Sequence, residues 1–173
     1  MKTAKEITIV GLFVALLIGG QFVLSGISGI EIVTVLFTSF CFYFGVLRGS
    51  IVATAFSLLR CFIFGFFPNV IILYLIYYNV VAVVFGFIGK AFKRGINLKK
   101  LITITIIAVL LTVFFTALDV GLMGIFYLFP LKTLFAYFTA GLPTLIAQVI
   151  CVSVSVFLLF APLLKVYKTI KIN

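Results

Sequence analysis

The stretch "LFTSFCFYFGVLRGSIVATAFSLLRCFIFGF", residues 36–66, joins two apolar runs through the short connection "VLRGS", residues 46–50. A connection this short favours two antiparallel helices that are direct neighbours. A helix that crosses a bilayer needs about 20 predominantly apolar residues, and each run approaches that length. The stretch therefore predicts a helical hairpin inside a membrane.

The composition of the whole chain agrees with this interpretation. Its 173 residues are 65% hydrophobic and only 9% charged, and the mean hydropathy is +1.46. A soluble domain of this size carries about 25% charged residues. We therefore expect an all-α membrane protein in which residues 1–173 form a single integral membrane domain, with no separate soluble domain.

Apolar runs along the chain predict six transmembrane helices. The first is expected to be a retained span, since it is long for a signal peptide and lacks a convincing cleavage site. The last is long enough to tilt, to kink near Pro143 or to begin with a segment on the outer surface. The six predicted spans cover residues 7–25, 30–47, 50–67, 70–90, 101–118 and 134–164.

The basic residues predict that both ends of this domain face the cytoplasm. With the first span starting inside, all of the 13 lysines and arginines except Arg60 and Lys132 fall in cytoplasmic segments. Such an excess is typical of inward-facing loops. The net charge of +10 therefore comes from short clusters that set topology, and we do not expect the chain to bind nucleic acid.

Four charged residues remain away from the cytoplasmic side: Glu31, Arg60, Asp119 and Lys132. In the predicted topology all four fall in the outer half of the membrane or just above it. An ionisable group in a span is costly and usually faces a partner or a water-filled cavity. Two hypotheses follow. Arg60 pairs with Glu31 or Asp119 only to fix helix packing, or these groups line an outward-facing cavity that binds a small solute.

Neutral residues in the same half of the membrane favour the cavity. Ligand sites combine apolar and aromatic walls with a few polar groups, and aromatic rings stack on flat heterocycles. Tyrosines also form belts at membrane interfaces, which is the alternative for each of them. The loop "SGISGIE", residues 25–31, is predicted to be a flexible lid. The uncharged candidates for substrate contact are Asn69, Tyr74, Tyr78, Asn79, Tyr137 and Gln148.

Residues that the chain lacks argue against catalysis. It has no histidine, which disfavours Ser/His hydrolysis and histidine-based zinc chemistry. It also lacks the "GxxxxGK[ST]" loop of P-loop ATPases. The cysteines, Cys41, Cys61 and Cys151, lie within apolar runs and are expected to be small buried hydrophobes. We therefore expect no enzyme activity, no metal and no cofactor, and active transport would need a motor on another subunit.

The chain resembles the substrate-binding S components of energy-coupling factor (ECF) vitamin transporters. The resemblance covers essentially the whole chain. It is carried by the six-span size, by residues 36–66 and by "YFTAGLPTLIAQVICVSVSVFLLFAPLLKVYK", residues 137–168. It is also carried by a stripe of small residues, Gly11, Ala15 and Gly19, in "GLFVALLIGG". Many members have an Asn in a "His…Asn"-like stretch of the last helix. This chain has "AQVICVSVS" there, so Gln148 is the candidate for that contact.

The resemblance implies a subunit of the bacterial cytoplasmic membrane that binds a vitamin or vitamin precursor near the outer face, under the first loop. It also implies docking onto a transmembrane scaffold subunit with two ATPases, through the stripe on the first helix. Internal packing against another helix is the alternative for that stripe. The substrate candidates are a cobalamin-related compound, pantothenate, a pyridoxine- or pyrimidine-type precursor and a queuosine precursor. The alternative function is a polytopic assembly or scaffolding protein.

Overall fold

The computed structural model describes residues 4–27, 29–30, 32–92 and 95–169, and these residues form helices and short connections without a strand. The all-α prediction is therefore confirmed. The helices are α1 (Ala4–Leu24), α2 (Val33–Phe44), α3 (Val46–Leu59), α4 (Cys61–Phe64), α5 (Pro68–Ala91), α6 (Leu98–Tyr127) and α7 (Leu131–Thr169).

Five helical segments, with α3 and α4 taken together, are long and apolar enough to cross a membrane, as expected of a multi-pass membrane protein. The predicted second span, residues 30–47, forms a helix of only 12 residues. That helix is about 18 Å long at 1.5 Å per residue, which is shorter than the hydrocarbon core of about 30 Å. The count of six spans and the cytoplasmic location of both ends stay predictions.

A single residue, Gly45, joins α2 to α3. Its φ of 86° and ψ of 176° lie in a region that is open essentially only to glycine. The opposite ends of these two helices, at Val33 and Arg60, line the same cavity. The helices must therefore run antiparallel, which confirms the hairpin predicted from residues 36–66. The connection is shorter than predicted, since Arg48 and Gly49 already belong to α3.

The corner of this hairpin lies directly on the backbone of α5. A Cβ atom at Gly86 would lie 2.6 Å from the backbone nitrogen of Val46, and one at Gly89 would overlap the carbonyl oxygen of Phe42. Neither distance is compatible with a side chain. The two glycines therefore allow the close approach that sets α2 and α3 against α5.

From this contact α3 and α5 run antiparallel along their length. Asn79 Nδ2 donates a hydrogen bond to Thr54 Oγ1 over 3.4 Å. Two residues further along α3, the ring of Phe56 meets that of Tyr78 edge to face with centroids 5.0 Å apart. The register that begins at Gly86 therefore continues toward Arg60, the residue that follows α3.

α1 and α7 each bury one face against the rest of the bundle. The buried face of α1 consists of residues three or four positions apart, Val10, Phe13, Val14 and Leu17, although α1 is apolar on all its faces. The ring of Phe13 stacks on that of Phe40 in α2 at 4.1 Å. The buried residues of α7 recur about every fourth position and are Val152, Val156, Phe160, Leu164 and Tyr167. α7 remains one helix through Pro143 and Pro162.

The two ends of the bundle differ in charge. At one end, which we call the basic end, Arg48 forms an ion pair with Glu6 and so ties α3 to α1. The opposite end, called the far end, carries the α1–α2 loop, the residues around Arg60 and the α6–α7 connection. The described lysines at or near the basic end are Lys5, Lys90, Lys99, Lys100, Lys165 and Lys168.

The close contact at Gly89 predicts that a methyl group there destabilises the fold. We expect Gly89→Ala to lower the free energy of unfolding by about 1–3 kcal/mol, because overpacking outweighs the higher helix propensity of alanine. The measurement is thermal unfolding of the purified protein in detergent micelles.

Gly121→Ala in α6 is the matched control, since a Cβ atom there meets nothing within 4 Å. It should leave stability unchanged or raise it by up to about 1 kcal/mol through helix propensity. Equal effects of the two substitutions would show that the contact of α5 with the hairpin corner is not tight.

Candidate functional site

Arg60 is the centre of a polar cluster at the far end of the bundle. Its side chain is 7% exposed, and Arg60 Nε donates a hydrogen bond to Gln21 Oε1 over 3.2 Å. Gln21 Nε2 in turn donates to the hydroxyl of Tyr74 over 3.0 Å. The guanidinium carbon lies 3.8 Å from the centroid of the Tyr74 ring, a cation–π contact. Residues from α1, α3 and α5 therefore hold the arginine as a unit.

The structure excludes one of the open hypotheses for Arg60, an ion pair with Asp119. Asp119 Oδ2 accepts a hydrogen bond from the hydroxyl of Tyr137 over 2.7 Å, and among the described residues the ion pair within 4.0 Å is Arg48 with Glu6. Glu31, the other predicted partner, lies outside the described residues. Within the described part of the chain, the Gln21 amide and the rings of Tyr74 and Phe64 therefore compensate the Arg60 charge.

Arg60 lines a cavity of about 260 Å³, which we call the Arg60 cavity. Its walls come from α1, α2, α4, α5 and α7 and from the loop between α1 and α2, the predicted lid. Gly29 of that loop packs so closely on α7 that a Cβ atom would lie 2.5 Å from that of Ala147. The loop thus lies where a lid would cover the arginine. The polar and loop residues that line the cavity are Gln21, Ser25, Ile27, Gly29, Ile30, Arg60, Tyr74 and Gln148.

Asp119 lines a second, larger cavity between α6 and α7, which we call the Asp119 cavity. Its volume is about 350 Å³, and its walls alternate rings with hydroxyl and amide groups. Tyr137, a predicted site residue, lies on its rim and is 38% exposed. The residues that give the cavity its chemistry are Phe115, Thr116, Asp119, Tyr137, Phe138, Thr144 and Gln148.

A small cavity of about 50 Å³ lies between these two. Tyr74 lines both it and the Arg60 cavity, Phe115 lines both it and the Asp119 cavity, and Gln148 lines all three. The prediction that Glu31, Arg60 and Asp119 face one common cavity therefore does not hold for Arg60 and Asp119, and Glu31 lies outside the described residues. The structure places them in two cavities that adjoin at Gln148.

Three predicted contact residues have structural partners. Asn69 is 3% exposed and its Oδ1 accepts a hydrogen bond from the Tyr127 hydroxyl over 3.4 Å. Asn79 Nδ2 donates to its own helix at Leu75 O over 2.8 Å. Neither asparagine lines the three cavities. Tyr78 is 4% exposed and reaches only the smallest of them.

Gln21, which holds both Arg60 and Tyr74, was not among the site residues predicted from the sequence. The available signal was an amide side chain in the otherwise apolar span 7–25, near its outer end. An amide in a membrane span needs a hydrogen-bond partner within the protein because lipid offers none. Which residue becomes that partner depends on how α1, α3 and α5 pack. Thr112, which lines the smallest cavity, was missed for the same reason.

The stripe of Gly11, Ala15 and Gly19 lies on the face of α1 that points away from the rest of the chain. All three residues are exposed, and a Cβ atom at either glycine would meet nothing within 4 Å. The alternative in which the stripe packs on another helix of the same chain is therefore wrong for the described residues. The stripe is open to lipid or to a partner.

The remaining chemistry of the described residues is sparse. They contain no group of three or more His, Cys, Asp or Glu side chains that would hold a metal ion. None of the three cysteines is in a disulfide, and Cys41 and Cys61 are buried as predicted, whereas Cys151 is partly exposed. Comparisons of the chain with protein-family models, curated proteins and solved structures find no match. Any functional argument therefore starts from the two cavities.

The position of Gln21 predicts that its amide and the hydroxyl of Tyr74 act as one unit. Gln21→Leu preserves volume but leaves Arg60 Nε without its acceptor, so we expect a loss of about 1–3 kcal/mol in the free energy of unfolding. Tyr74→Phe should lower the free energy of unfolding by less in the Gln21→Leu variant than in the wild type, with a difference of about 0.5 kcal/mol or more.

Thr8→Ala is the control for a polar deletion in α1, because Thr8 is exposed and its hydroxyl donates only to Ala4 O of its own helix. It should change stability by less than about 0.5 kcal/mol. Additive effects of the Gln21 and Tyr74 substitutions would contradict the coupling between the two side chains.

Proposed function

We propose that this protein is the substrate-binding subunit of an ECF-type importer, without catalysis of its own, that captures a vitamin or vitamin precursor at the outer face. The observation that carries the proposal is the Arg60 cavity. A buried guanidinium, with no carboxylate within ion-pair distance among the described residues, lines a space of about 260 Å³ under the α1–α2 loop. Removing such a charge from water is costly unless it gains a partner.

The chemistry of this cavity fits a planar polar solute. A guanidinium offers several N–H donors in one plane and binds carboxylate or carbonyl oxygens in a fixed geometry. The adjacent rings of Tyr74 and Phe64 offer surfaces on which a heterocycle stacks. Gln148 supplies both a donor and an acceptor, which supports the substrate-contacting role expected for it.

The cavity volumes narrow the set of candidate substrates. Pockets for small ligands measure about 300–1,000 Å³, and the Arg60 and Asp119 cavities measure about 260 and 350 Å³. Spaces of this size suit pantothenate, a pyridoxine- or pyrimidine-type precursor or a queuosine precursor. A corrinoid is far larger than either cavity, so a cobalamin-related substrate is the least favoured of the four classes.

The proposed partners are a transmembrane scaffold subunit and two ATPases. The absence of a P-loop motif in the sequence means that a P-loop motor would have to belong to another chain. The exposed stripe on α1 supports a docking face, because small residues let two helix backbones approach closely in lipid. The assignment to the bacterial cytoplasmic membrane belongs to the same proposal.

Binding by the Arg60 cavity predicts a ligand-dependent gain in stability. When purified protein is screened by thermal unfolding against a panel of vitamins and precursors, at least one compound should raise the midpoint, since a ligand at 100 times its Kd adds about 2.7 kcal/mol. Arg60→Gln should abolish that rise.

Arg48→Gln is the matched control, because Arg48 lies at the basic end and pairs with Glu6. It should lower the midpoint of the free protein slightly and preserve the rise with ligand. If no compound stabilises the wild type and Arg60→Gln leaves vitamin-dependent growth intact, the transport proposal fails and the assembly-protein alternative gains support.

If the scaffold subunit docks on the stripe, a substitution there should abolish substrate uptake without changing the affinity for the ligand. Ala15→Leu should abolish uptake in cells while the purified variant binds ligand with unchanged affinity, because the bulky side chain holds the scaffold helix away from α1. Ala117→Leu in α6 is the control, since Ala117 is also exposed but lies outside the stripe. Normal uptake by the Ala15→Leu variant would exclude the stripe as the docking face.

A further inference from the structure

The function proposed above depends on the Arg60 cavity and gives the carboxylate of Asp119 no role. Asp119 is one of only three acidic residues in the chain, and the cavity around it is the larger of the two at the far end, at about 350 Å³. Its walls carry three aromatic rings and two threonine hydroxyls. A half-buried carboxylate in a cavity of this composition indicates a binding site.

We infer that the Asp119 cavity is a second subsite, which binds a protonated amine at one end of the same ligand whose carboxylate or carbonyl group binds Arg60. The substrate class is therefore a bipolar molecule, with an anionic or carbonyl end, a central ring or short linker and an ammonium end. This inference rests on the proposed function, since it requires that the Arg60 cavity binds a solute.

The charge of the site selects a cation. Among the described residues no lysine or arginine lies within 4.0 Å of Asp119, and the Tyr137 hydroxyl donates to only one of its carboxylate oxygens. A carboxylate accepts several hydrogen bonds, so capacity remains for a donor from a ligand. An anion would be repelled by Asp119, whereas an ammonium gains a charge-assisted hydrogen bond.

The aromatic walls select the same chemistry. Phe115, Tyr137 and Phe138 line the cavity together with Asp119. A cation over the face of an aromatic ring is attracted by the ring quadrupole, and this attraction grows when water is excluded. Rings and one carboxylate are therefore complementary to an organic ammonium, and less so to a strongly hydrated inorganic ion.

The two subsites adjoin at a boundary that Tyr74, Phe115 and Gln148 form. The ring of Tyr74, which borders Arg60, and the ring of Phe115, which borders the Asp119 cavity, have centroids 5.8 Å apart. Gln148 lines both cavities and the small one between them. Its amide would donate to, or accept from, the part of the ligand that joins the two charged ends.

The test uses full-length protein in lipid nanodiscs and calorimetric titration with matched probes. The bipolar probes are 4-(aminomethyl)benzoate and 4-(3-aminopropyl)benzoate. Their controls are 4-ethylbenzoate and 4-butylbenzoate, in which a methyl group replaces the ammonium. At least one bipolar probe should bind about tenfold more tightly than its control, as expected for a charge-assisted hydrogen bond.

The variant Asp119→Asn should erase this advantage and leave the affinity for the alkylbenzoates unchanged. Asparagine still offers an oxygen to Tyr137, so the fold should be retained, and the unfolding midpoint without ligand verifies this. Glu6→Gln, which removes a carboxylate at the basic end, should preserve the advantage. Arg60→Gln should weaken binding of both probe classes.

Two results would contradict the inference of a second subsite at Asp119 and leave the proposed function intact. Bipolar probes that bind no more tightly than their controls, or that keep their advantage in Asp119→Asn, exclude an ammonium site at Asp119 while binding remains sensitive to Arg60→Gln. If no benzoate binds but a vitamin does, a shared aromatic bipolar ligand is also excluded. If the vitamin panel fails as well, both the inference and the proposed function fail.

Discussion

The close contact between the α2–α3 corner and the glycines of α5 is the constraint on which the site depends. Gly86 and Gly89 have no side chain, so Val46 and Phe42 rest on the helix backbone and fix the register of two antiparallel helices. Along α3, Arg60 lies about 21 Å from Val46, and along α5, Tyr74 lies about 18 Å from Gly86. The two residues therefore reach the same level, where the guanidinium lies over the ring.

This register buries the positive charge of Arg60, which is costly. Among the described residues, Arg60 is compensated by the Gln21 amide and the rings of Tyr74 and Phe64, which orient the guanidinium without neutralising it. A charge held in this way gains more from an anionic partner than the same charge in water, because the local dielectric constant is low. The adjoining Asp119 cavity has the opposite sign, so the far end of the bundle presents two unlike charges on either side of Gln148.

Much of the architecture could be predicted from the sequence. Residues 36–66 predicted the antiparallel hairpin, and the position of Arg60 in an apolar run predicted a polar contact at depth. The length of α2 could not be predicted, because its 12 residues end at a glycine conformation that only the packed corner reveals. The hydrogen-bond partners of Arg60 and Asp119 could not be predicted either. Which side chain each one meets depends on the rotation of α1 and α7 about their axes, and apolar runs that are hydrophobic all round do not encode that rotation.

The central claim is that Arg60 holds a small molecule, and native mass spectrometry of protein released from its own membranes tests it most directly. The wild-type protein should carry a small molecule whose mass identifies it as a vitamin or precursor. Folded Arg60→Gln protein from the same growth medium should carry none. A wild-type protein that carries nothing when the medium supplies every candidate vitamin, or a variant that retains the same molecule, would contradict the account.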